Sequence, residues 1–531
     1  MVLCRQAEKR VPVMLIAAVL LAVPAGAWAA DPPPVQPFET DTAFTPTDPI
    51  DEHILARLCQ KKIEPAYLCS DTVFVRRVYL DVIGTLPEAR EVRDFLADKR
   101  PDKRARLIDA LLERDEFADY WALKWCDLLR VKSEFPINLW PNAVQAYHHW
   151  VRDALARNKP YDAFVRELLT SSGSNFRVPP VNFYRAVQDH DPATLAAAVA
   201  LTFMGTRYDA WPEDRRQDMA AFFSRVAFKG TAEWKEEIVY VDPSATTPLH
   251  ARFPDGREID IAAGDDPRRA FADWLTSPEN PWFARNVVNR IWAWLLGRGI
   301  IDEPDDIRPD NPPVNPELLT YLEAELVASK YDLRHIYRLI LNSHTYQQSC
   351  LPRSDDPDAE ALFAYYPVRR LDAEVLVDAL NAICGSGERY TSAIPEPFTH
   401  IPQEQRTIAL ADGSISSPFL EMFGRPARDT GLESERDRRS TDAQRLHLLN
   451  SSHVQKKIEG SQRLRALLRP GRGGLREAVR ALYLTILSRY PTPAELEAVD
   501  AYLNADGVDR RQAVNDVVWA LINSKEFVFR H

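Results

Sequence analysis

Four carboxylate side chains in two irregular segments are the residues best suited to catalysis. Asp305 and Asp306 lie in a Pro-rich stretch, and Glu433 and Glu435 lie in the most charged irregular segment, residues 423–440. Glycoside hydrolysis uses two carboxyl groups roughly 5 to 10 Å apart, one as an acid and the other as a base or nucleophile. A hydrolase of a complex polysaccharide that uses such a pair is therefore one predicted function.

Three arginines in the same charged segment are candidates for binding an anion. Arg425, Arg428 and Arg436 carry planar guanidinium groups, which bind carboxylates and phosphates through two parallel hydrogen bonds. In such an anion-binding cleft Glu433 and Glu435 would be the partners of the arginines, and the alternative is a surface web of salt bridges. Because exposed ion pairs are common and contribute little to stability, the pattern favours this web over an anion site.

The histidines do not have the spacing of a metal site. His148 and His149 are adjacent, so on a helix they point about 100° apart, and His447 and His453 miss the i, i+4 spacing that places two ligands together. The acidic stretch 302–317 lacks the glycine at the bend of a calcium-binding loop. No nucleotide-binding motif and no signature of a serine hydrolase or zinc protease occurs. The sequence therefore predicts no metal and no cofactor.

Composition indicates a soluble globular protein of two or three domains. The chain of 531 residues exceeds what one hydrophobic core usually supports, and 45% of its residues are apolar while 27% are charged. The formal net charge of −11 argues against a nucleic-acid partner, because such a protein needs a basic face to neutralise phosphates. Nucleic-acid binding is therefore not expected.

Residues 1–29 have the order of an export signal. Arg5, Lys9 and Arg10 precede an apolar stretch, which is followed by small residues. The apolar stretch is too short to span a bilayer comfortably, so an uncleaved membrane anchor is the less favoured alternative. Residues 30–49 are rich in Pro and Thr and are predicted to form an extended linker. The sequence thus predicts a periplasmic or extracellular protein with no membrane span after signal removal.

An odd number of cysteines remains after removal of the signal. No pair has the spacing of metal ligands, although the compartment outside the cytoplasm permits disulfides. Cys59 and Cys69 could close a loop, but buried free thiols are favoured because Cys packs as a small hydrophobic residue. The remaining cysteines are Cys59, Cys69, Cys126, Cys350 and Cys384.

Apolar residues recur at helical spacing through most of the chain. Two such stripes run into the related peptides LLERDEF, residues 111–117, and LINSKEF, residues 521–527. Each peptide closes a unit of several helices, and the aromatic residues Phe117 and Phe527 are predicted to fill the space between those helices. We interpret the repeat as a packing module rather than a binding motif.

The predicted fold is mainly α, with two helical regions joined by a small β-hairpin insertion and a related helical unit near each end. The helical regions are residues 50–229 and 267–531, and each is predicted to form a domain. Residues 230–266 contain short alternating β-prone runs with a turn at Asp255-Gly256. The β insertion is therefore predicted to separate the two domains.

Several longer peptides make the chain resemble a secreted bacterial family. The most specific match lies in residues 267–350, which include DWLTSPENPWFARNVVNRIWAWLLGRGIIDEPDDIRPDNPPVNPELL, and other matches are YWALKWCDLLRVKSE, RRLDAEVLVDAL and the closing LINSKEFVFRH. This is the Planctomycete secreted-domain family, whose two paired halves are domains of unknown function. The resemblance covers nearly all of residues 50–531 and implies no known activity.

The chain departs from the family at two cysteine stretches. Many relatives are fused to or found beside cytochrome c-like segments, and many carry Cys-x-x-Cys-His at the position where this chain has Tyr208, Asp209 and Trp211. Relatives also often have Cys-Glu-Cys-Glu-Arg where this chain has Leu432 and Ser434. Haem attachment needs the thiols and an axial His, so the resemblance carries neither haem nor a thiolate-bound metal over to this chain. We hypothesise that the two stretches form one site in relatives and lie within roughly 20 to 25 Å of each other here.

These observations favour an exported, noncatalytic helical scaffold or recognition protein. Relatives often occur beside sulfatase-like proteins, so the resemblance implies a role in polysaccharide handling by analogy. The expected partner is a polysaccharide or a protein outside the cytoplasm, with a sulfatase-like protein as one candidate. The alternatives are the hydrolase with paired carboxylates and a degenerate cytochrome-associated protein without haem.

Overall fold

The part of the chain that the structure describes begins after the predicted signal peptide. The predicted signal, residues 1–29, and residues 30–37 of the predicted linker lie outside it. Within the described residues, no helix is both long enough and apolar enough to cross a bilayer. The computed structural model describes residues 38–399, 401–402, 404–467, 474–505 and 509–531.

Helices make up most of the first helical region. Asp48, Ser70 and Asp191 each begin a helix by accepting hydrogen bonds from backbone N–H groups of its first turn. A π-helical turn, Ala200–Met204, follows the ninth of these helices and ends at Gly205, whose φ of 60° is easily adopted by glycine. The helices are α1 (Pro49–Lys61), α2 (Asp71–Val82), α3 (Ala89–Ala97), α4 (Lys103–Leu112), α5 (Asp115–Leu128), α6 (Pro141–Ala156), α7 (Tyr161–Thr170), α8 (Asn182–Arg185), α9 (Pro192–Val199) and α10 (Glu213–Ala221).

Two β-hairpins follow the first helical region. Strand β2 (Val226–Gly230) pairs antiparallel with β3 (Glu237–Val241), and the short strand β1 (Gly173–Ser174) pairs with the other edge of β3. Strand β4 (Leu249–Arg252) pairs with β5 (Glu258–Ile261) on either side of the predicted Asp-Gly turn. The β segment is therefore two hairpins rather than one, because a second antiparallel pair forms before the predicted turn.

The second helical region follows the hairpins, and its C-terminal end contacts the first helical region. Its last strand, β7 (Phe529–Arg530), pairs antiparallel with β6 (Arg369–Arg370), so the C-terminal peptide is fixed to the middle of this region. The helices are α11 (Pro267–Leu275), α12 (Phe283–Leu296), α13 (Pro316–Ala328), α14 (Leu333–Asn342), α15 (Ala373–Cys384), α16 (Pro418–Met422), α17 (Asp442–Asn450), α18 (Ser452–Gly460), α19 (Gln462–Leu467), α20 (Gly474–Ile486), α21 (Pro493–Leu503), α22 (Arg510–Ile522) and α23 (Lys525–Val528). The fold is mainly α, as predicted.

The two related helical units pack against each other through a pair of buried arginines. Arg76 in α2 donates a hydrogen bond to the carbonyl oxygen of Phe527 at 3.0 Å, and Arg77 donates one to the carbonyl oxygen of His531 at 2.9 Å. Phe117 and Phe527 are 2% and 0% exposed, so the prediction that both are buried is confirmed. The repeated unit thus serves to join the two ends of the chain.

One continuous hydrophobic cluster includes residues from both helical regions. It extends along the sequence from Ile50 to Val528 and includes aromatic residues from both halves. The two halves are therefore held together by shared apolar burial, which is the largest favourable contribution to folding.

The five described cysteines are free thiols, and Cys59 is exposed whereas Cys69 lies in the hydrophobic cluster.

Candidate functional site

The structure brings the Asp305 side chain into contact with the backbone of Glu433. Asp305 is buried and forms an ion pair with Arg290, whose Nη2 lies 2.6 Å from Asp305 Oδ1. The backbone N–H of Glu433 donates a hydrogen bond to Asp305 Oδ2 at 2.6 Å. Asp305 therefore joins the two segments, with its charge neutralised by Arg290 rather than facing a cavity.

The Glu433 side chain lies among positive charges. Its Oε2 accepts a hydrogen bond from Trp294 Nε1 at 2.9 Å, and its Oε1 accepts one from Arg438 Nη2 at 2.8 Å. Burial alone would raise the pKa of Glu433, but the charges of Arg438 and Lys124 outweigh it and hold the pKa below its ordinary value. Glu433 is therefore an ionised hydrogen-bond acceptor at neutral pH.

The other two predicted carboxylates lie apart from this pair and support local loop structure. Asp306 forms an ion pair with Arg308 at 3.2 Å. Glu435 accepts hydrogen bonds from the backbone N–H of Asp429 at 2.9 Å and from the hydroxyl of Thr430 at 2.9 Å. Both carboxylates therefore stabilise their own chain segments, and the contact between the two irregular segments is the bond from the Glu433 backbone to Asp305.

The three predicted arginines are buried and bound to carboxylates from other parts of the chain. Arg436 Nη1 lies 2.7 Å from Glu374 Oε2, and its Nη2 lies 2.7 Å from Asp127 Oδ2. Arg428 Nε donates to Asp127 Oδ1 at 2.9 Å, and Arg425 Nε lies 3.5 Å from Glu374 Oε1. Their partners are thus Asp127 and Glu374 rather than Glu433 and Glu435. We call these residues the buried charge network: Asp127, Glu374, Arg425, Arg428 and Arg436.

A second set of buried charges extends the network towards the C-terminus. Asp372 Oδ2 lies 2.8 Å from Lys124 Nζ and 3.2 Å from Arg530 Nη2. Arg530 Nη1 in turn lies 3.0 Å from Asp81 Oδ1. The pKa of Lys124 is lowered to about 8. Burial is the main cause, and the nearby charge of Arg436, which lowers the pKa, outweighs that of Asp372, which raises it. Breaking any of these buried pairs would leave an uncompensated charge, so the network fixes how the two halves dock.

The buried charge network holds a surface loop, residues 131–140, in place. Arg428 Nη1 donates to the carbonyl oxygens of Val131 at 3.2 Å and Ala411 at 2.8 Å. The backbone N–H of Ser133 donates to Asp412 Oδ1 at 3.0 Å. The loop is thus tied by hydrogen bonds to the segment around Asp412, and its conformation depends on both halves of the chain.

A second surface loop is tied to the first through Glu134. The backbone N–H of Glu134 donates to Ser414 Oγ at 2.9 Å, while its Oε1 accepts a hydrogen bond from the backbone N–H of Ala393 at 2.9 Å. Residues 392–399 therefore lie directly beside residues 131–140. Neither contact was predicted, because the residues that make it are more than 250 positions apart in the sequence.

Exposed aromatic rings project from these two loops. Phe135 is 80% exposed and Phe398 is 57% exposed, and the ring of Phe398 lies 5.5 Å from that of Trp140. Trp140 has φ of 70°, a left-handed conformation that costs a bulky residue on the order of 1 to 3 kcal/mol and persists only where surrounding contacts enforce it. We call Phe135, Trp140 and Phe398 the aromatic platform, and it is the candidate site for recognition.

The two stretches at residues 208–211 and 432–434, which the resemblance singled out, make ordinary packing contacts. The Tyr208 hydroxyl donates to the carbonyl oxygen of Arg216 at 2.5 Å, and the Arg215 guanidinium lies 4.0 Å from the centre of the Trp211 ring. Asp209 and Ser434 are exposed, and Leu432 is half-buried. These residues have no thiol or imidazole, so they do not fit the attachment of haem.

Both stretches flank the loop that contains Asp305. Arg207, next to the first stretch, forms an ion pair with Glu303 at 3.5 Å, and the carbonyl oxygen of Gly205 accepts a hydrogen bond from the backbone N–H of Ile307 at 2.8 Å. Glu433, within the second stretch, contacts Asp305 as described above. The hypothesis that the two stretches form one site in relatives stays a prediction.

Comparison with known proteins gives a family but no activity. The family described as "Protein of unknown function (DUF1549)" matches residues 49–227, and the family described as "Protein of unknown function (DUF1553)" matches residues 267–503. No curated protein and no solved structure matches the chain. On the paired matches, one in each helical region, the chain belongs to the family of proteins that combine these two domains of unknown function.

Proposed function

We propose that this chain is an exported, noncatalytic recognition protein that binds a neutral polysaccharide through the aromatic platform. The main observation behind the proposal is the exposure of Phe135 and Phe398, two large apolar rings, on loops that are held in place by hydrogen bonds. The two loops lie side by side, and exposed aromatic rings on such a surface mark a site that binds a partner, because association removes their apolar area from water. The flat face of an aromatic ring matches the apolar C–H face of a sugar ring.

The loops that carry the platform are held before a ligand arrives. Residues 131–140 are bonded to Arg428, Asp412 and Ser414, and residues 392–399 are bonded to Glu134. A site that is already rigid loses little conformational entropy on binding, so more of the contact energy contributes to affinity. The buried charge network therefore supports recognition without contacting the ligand.

Electrostatics favour a neutral polymer over an acidic one. The net charge of the chain is −11, which repels sulfated or carboxylated polysaccharides at long range. The arginines predicted to bind an anion are buried and paired with Asp127 and Glu374, so their guanidinium groups are not exposed to an acidic polymer. A neutral glycan is accordingly the partner that the described surface suits best.

The hydrolase alternative has less support from the predicted carboxylates. Glycoside hydrolysis needs one carboxylic acid whose pKa is raised so that it can protonate the leaving group. The pKa of Glu433 is lowered, and Asp305 is bound to Arg290. These two carboxylates suit hydrogen-bond acceptance better than acid catalysis.

A binding experiment on the mature protein tests the proposal. Affinity electrophoresis through gels containing soluble neutral glucans, mannans or xylans would retard the wild-type protein. The double variant Phe135→Ala/Phe398→Ala should bind at least about tenfold more weakly, because aromatic anchors at the centre of a site contribute most of its affinity. Tyr490→Ala is the matched control, since Tyr490 is an exposed aromatic residue outside the platform.

The outcomes separate the candidate functions. Retardation that is equal for wild-type protein and the double variant would place the glycan site elsewhere and contradict the proposal. Retention by sulfated polymers alone would favour an anion site. Release of reducing ends from a glucan, lost in Glu433→Gln, would favour the hydrolase instead.

A further inference from the structure

Two histidines that are six residues apart in the sequence have neighbouring rings in the structure. The ring centres of His447 and His453 are 5.9 Å apart, with the ring planes inclined by 49°. Helix α17 ends at Asn450 and α18 begins at Ser452, with Ser451 forming the C-cap of the first and the N-cap of the second. The break at Ser451 turns His453 back towards His447, which a single straight helix would not allow.

The two rings present nitrogen atoms that lack partners among the described residues. His447 Nε2 and His453 Nδ1 are both buried from solvent and make no hydrogen bond there. An uncompensated buried polar atom is unfavourable, so each nitrogen calls for an explanation. A bound cation would satisfy both lone pairs at once.

Glu388 orients one of the two rings in the way that metal sites commonly use. His453 Nε2 lies 2.9 Å from Glu388 Oε2, and this carboxylate also lies 3.3 Å from Lys457 Nζ. When the Nε2–H group of His453 donates a hydrogen bond to the carboxylate, the lone pair of the neutral ring is on Nδ1, the nitrogen without a partner. Metal-binding histidines are usually held by a second residue in this manner.

Two phenylalanine rings lie beside the histidine pair. The Phe419 ring lies 5.7 Å from that of His447 and 5.5 Å from that of His453, and the Phe423 ring lies 6.1 Å from that of His447. Apolar neighbours favour the neutral imidazole, which is the form that binds metal ions.

We infer that His447 and His453 bind a divalent transition-metal ion, with Glu388 as a positioning residue. Imidazole ligands suit copper and zinc, and Cu²⁺ binds most tightly in the first-row series. No group of three or more His, Cys, Asp or Glu residues that could hold a metal occurs within the described ranges. The site therefore supplies two protein ligands and leaves the other coordination positions to water or a small partner molecule.

Titration of the untagged mature protein with CuSO₄, followed by calorimetry and electron paramagnetic resonance, tests this inference. We expect one Cu²⁺ per chain, with nitrogen hyperfine structure from two imidazoles. His447→Ala or His453→Ala should weaken binding at least about tenfold, and Glu388→Gln should weaken it about 10-fold to 100-fold while both ligands remain. Circular dichroism of each variant shows whether it is folded.

His335 provides the matched control. His335 Nε2 lies 2.9 Å from Glu325 Oε2, so it repeats the carboxylate–histidine contact without a second imidazole beside it in the described structure. His335→Ala should leave Cu²⁺ binding unchanged. Absence of a one-to-one site, or equal affinity in folded His447→Ala and wild-type protein, would overturn the inference, as would a spectrum with a single nitrogen ligand.

Discussion

Arg428 donates a hydrogen bond to Asp127 at 2.9 Å across a sequence separation of 301 residues. The same guanidinium donates to the carbonyl oxygen of Val131, the first residue of the loop 131–140 that carries Phe135 and Trp140. A single side chain thus joins the two halves of the chain, the buried charge network and the candidate recognition loop. Stability and recognition are therefore expected to depend on the same residue.

Replacement of Arg428 by Met should destabilise the protein by about 3 to 5 kcal/mol, because it leaves Asp127 with one buried charge partner fewer. The free energy of unfolding in urea measures this change. Arg439→Met is the control, since Arg439 and its partner Asp437 are largely exposed and such pairs contribute little. Equal stability of Arg428→Met and wild-type protein would show that the network is not structural.

Phe527→Ala should destabilise the protein by about 3 to 5 kcal/mol, because it leaves a cavity in the core where the two helical units meet. Phe527 is fully buried, and its carbonyl oxygen accepts the hydrogen bond of Arg76. Urea unfolding again measures the change. Phe398→Ala, at an exposed position, should alter stability by no more than about 0.5 kcal/mol. Similar effects of the two substitutions would contradict the packing role of the repeat.

The helical part of the fold was predictable from local signals, whereas the charge partners were not. Apolar spacing within a few turns identifies the helices and the burial of Phe117 and Phe527. Asp127 and Glu374 lie within helices, and nothing in their neighbourhood indicates that they meet Arg436. Such pairing is decided by how distant elements pack, which periodicity does not describe.

The histidine pair shows a local signal that was available but not used. The i, i+4 criterion assumes that His447 and His453 lie on one helix, where a separation of six residues places them on different faces. The intervening Asn450-Ser451-Ser452 consists of residues that favour helix caps, so a break was predictable there. The exposure of Phe135 and Phe398 had no comparable signal, because loop orientation depends on long-range contacts.

Spin labels at Asp209→Cys and Ser434→Cys test whether the stretches around Tyr208 and Leu432 are neighbours. Both positions are exposed, so labels there should not disturb packing. The exposed Cys59 is first replaced by Ser to prevent labelling elsewhere. Because both stretches flank the Asp305 loop, we expect a backbone separation below roughly 20 to 25 Å by double electron–electron resonance. A distinctly longer distance would contradict the hypothesis that the two stretches form one site in relatives.

Deletion of residues 1–29 should retain the protein in the cytoplasm of the producing bacterium. The full-length chain should instead be exported and lose these residues, because they have the charge and apolar order of a cleavable signal. Cell fractionation and N-terminal sequencing measure both effects. Lys9→Ala/Arg10→Ala is a milder variant that should slow export. An intact N-terminus in the membrane fraction would indicate an anchor instead.

Acid should destabilise the protein before its carboxylates titrate, because two histidines are buried in the uncharged form. Burial lowers the pKa of His148 and of His531 to about 3. In the unfolded chain the histidine pKa is about 6.5, so below about pH 6.5 the unfolded chain binds protons at these histidines and the folded chain does not. The free energy of unfolding therefore falls as pH decreases. Each histidine should contribute a slope of about 1.4 kcal/mol per pH unit until the pH approaches 3.

His148→Gln should remove one of these two contributions. Urea unfolding at several values between about pH 7 and pH 5 measures the slope, which should be shallower in the variant by about 1.4 kcal/mol per pH unit near the lower end. His250→Gln is the control with the opposite sign, because the hydrogen bond of exposed His250 with Asp260 raises its pKa. A folded-state pKa above the unfolded value stabilises the protein at low pH, so losing His250 should not make the slope shallower. An unchanged slope in His148→Gln would mean that His148 is protonated in the folded protein, which its burial beside Arg428 opposes.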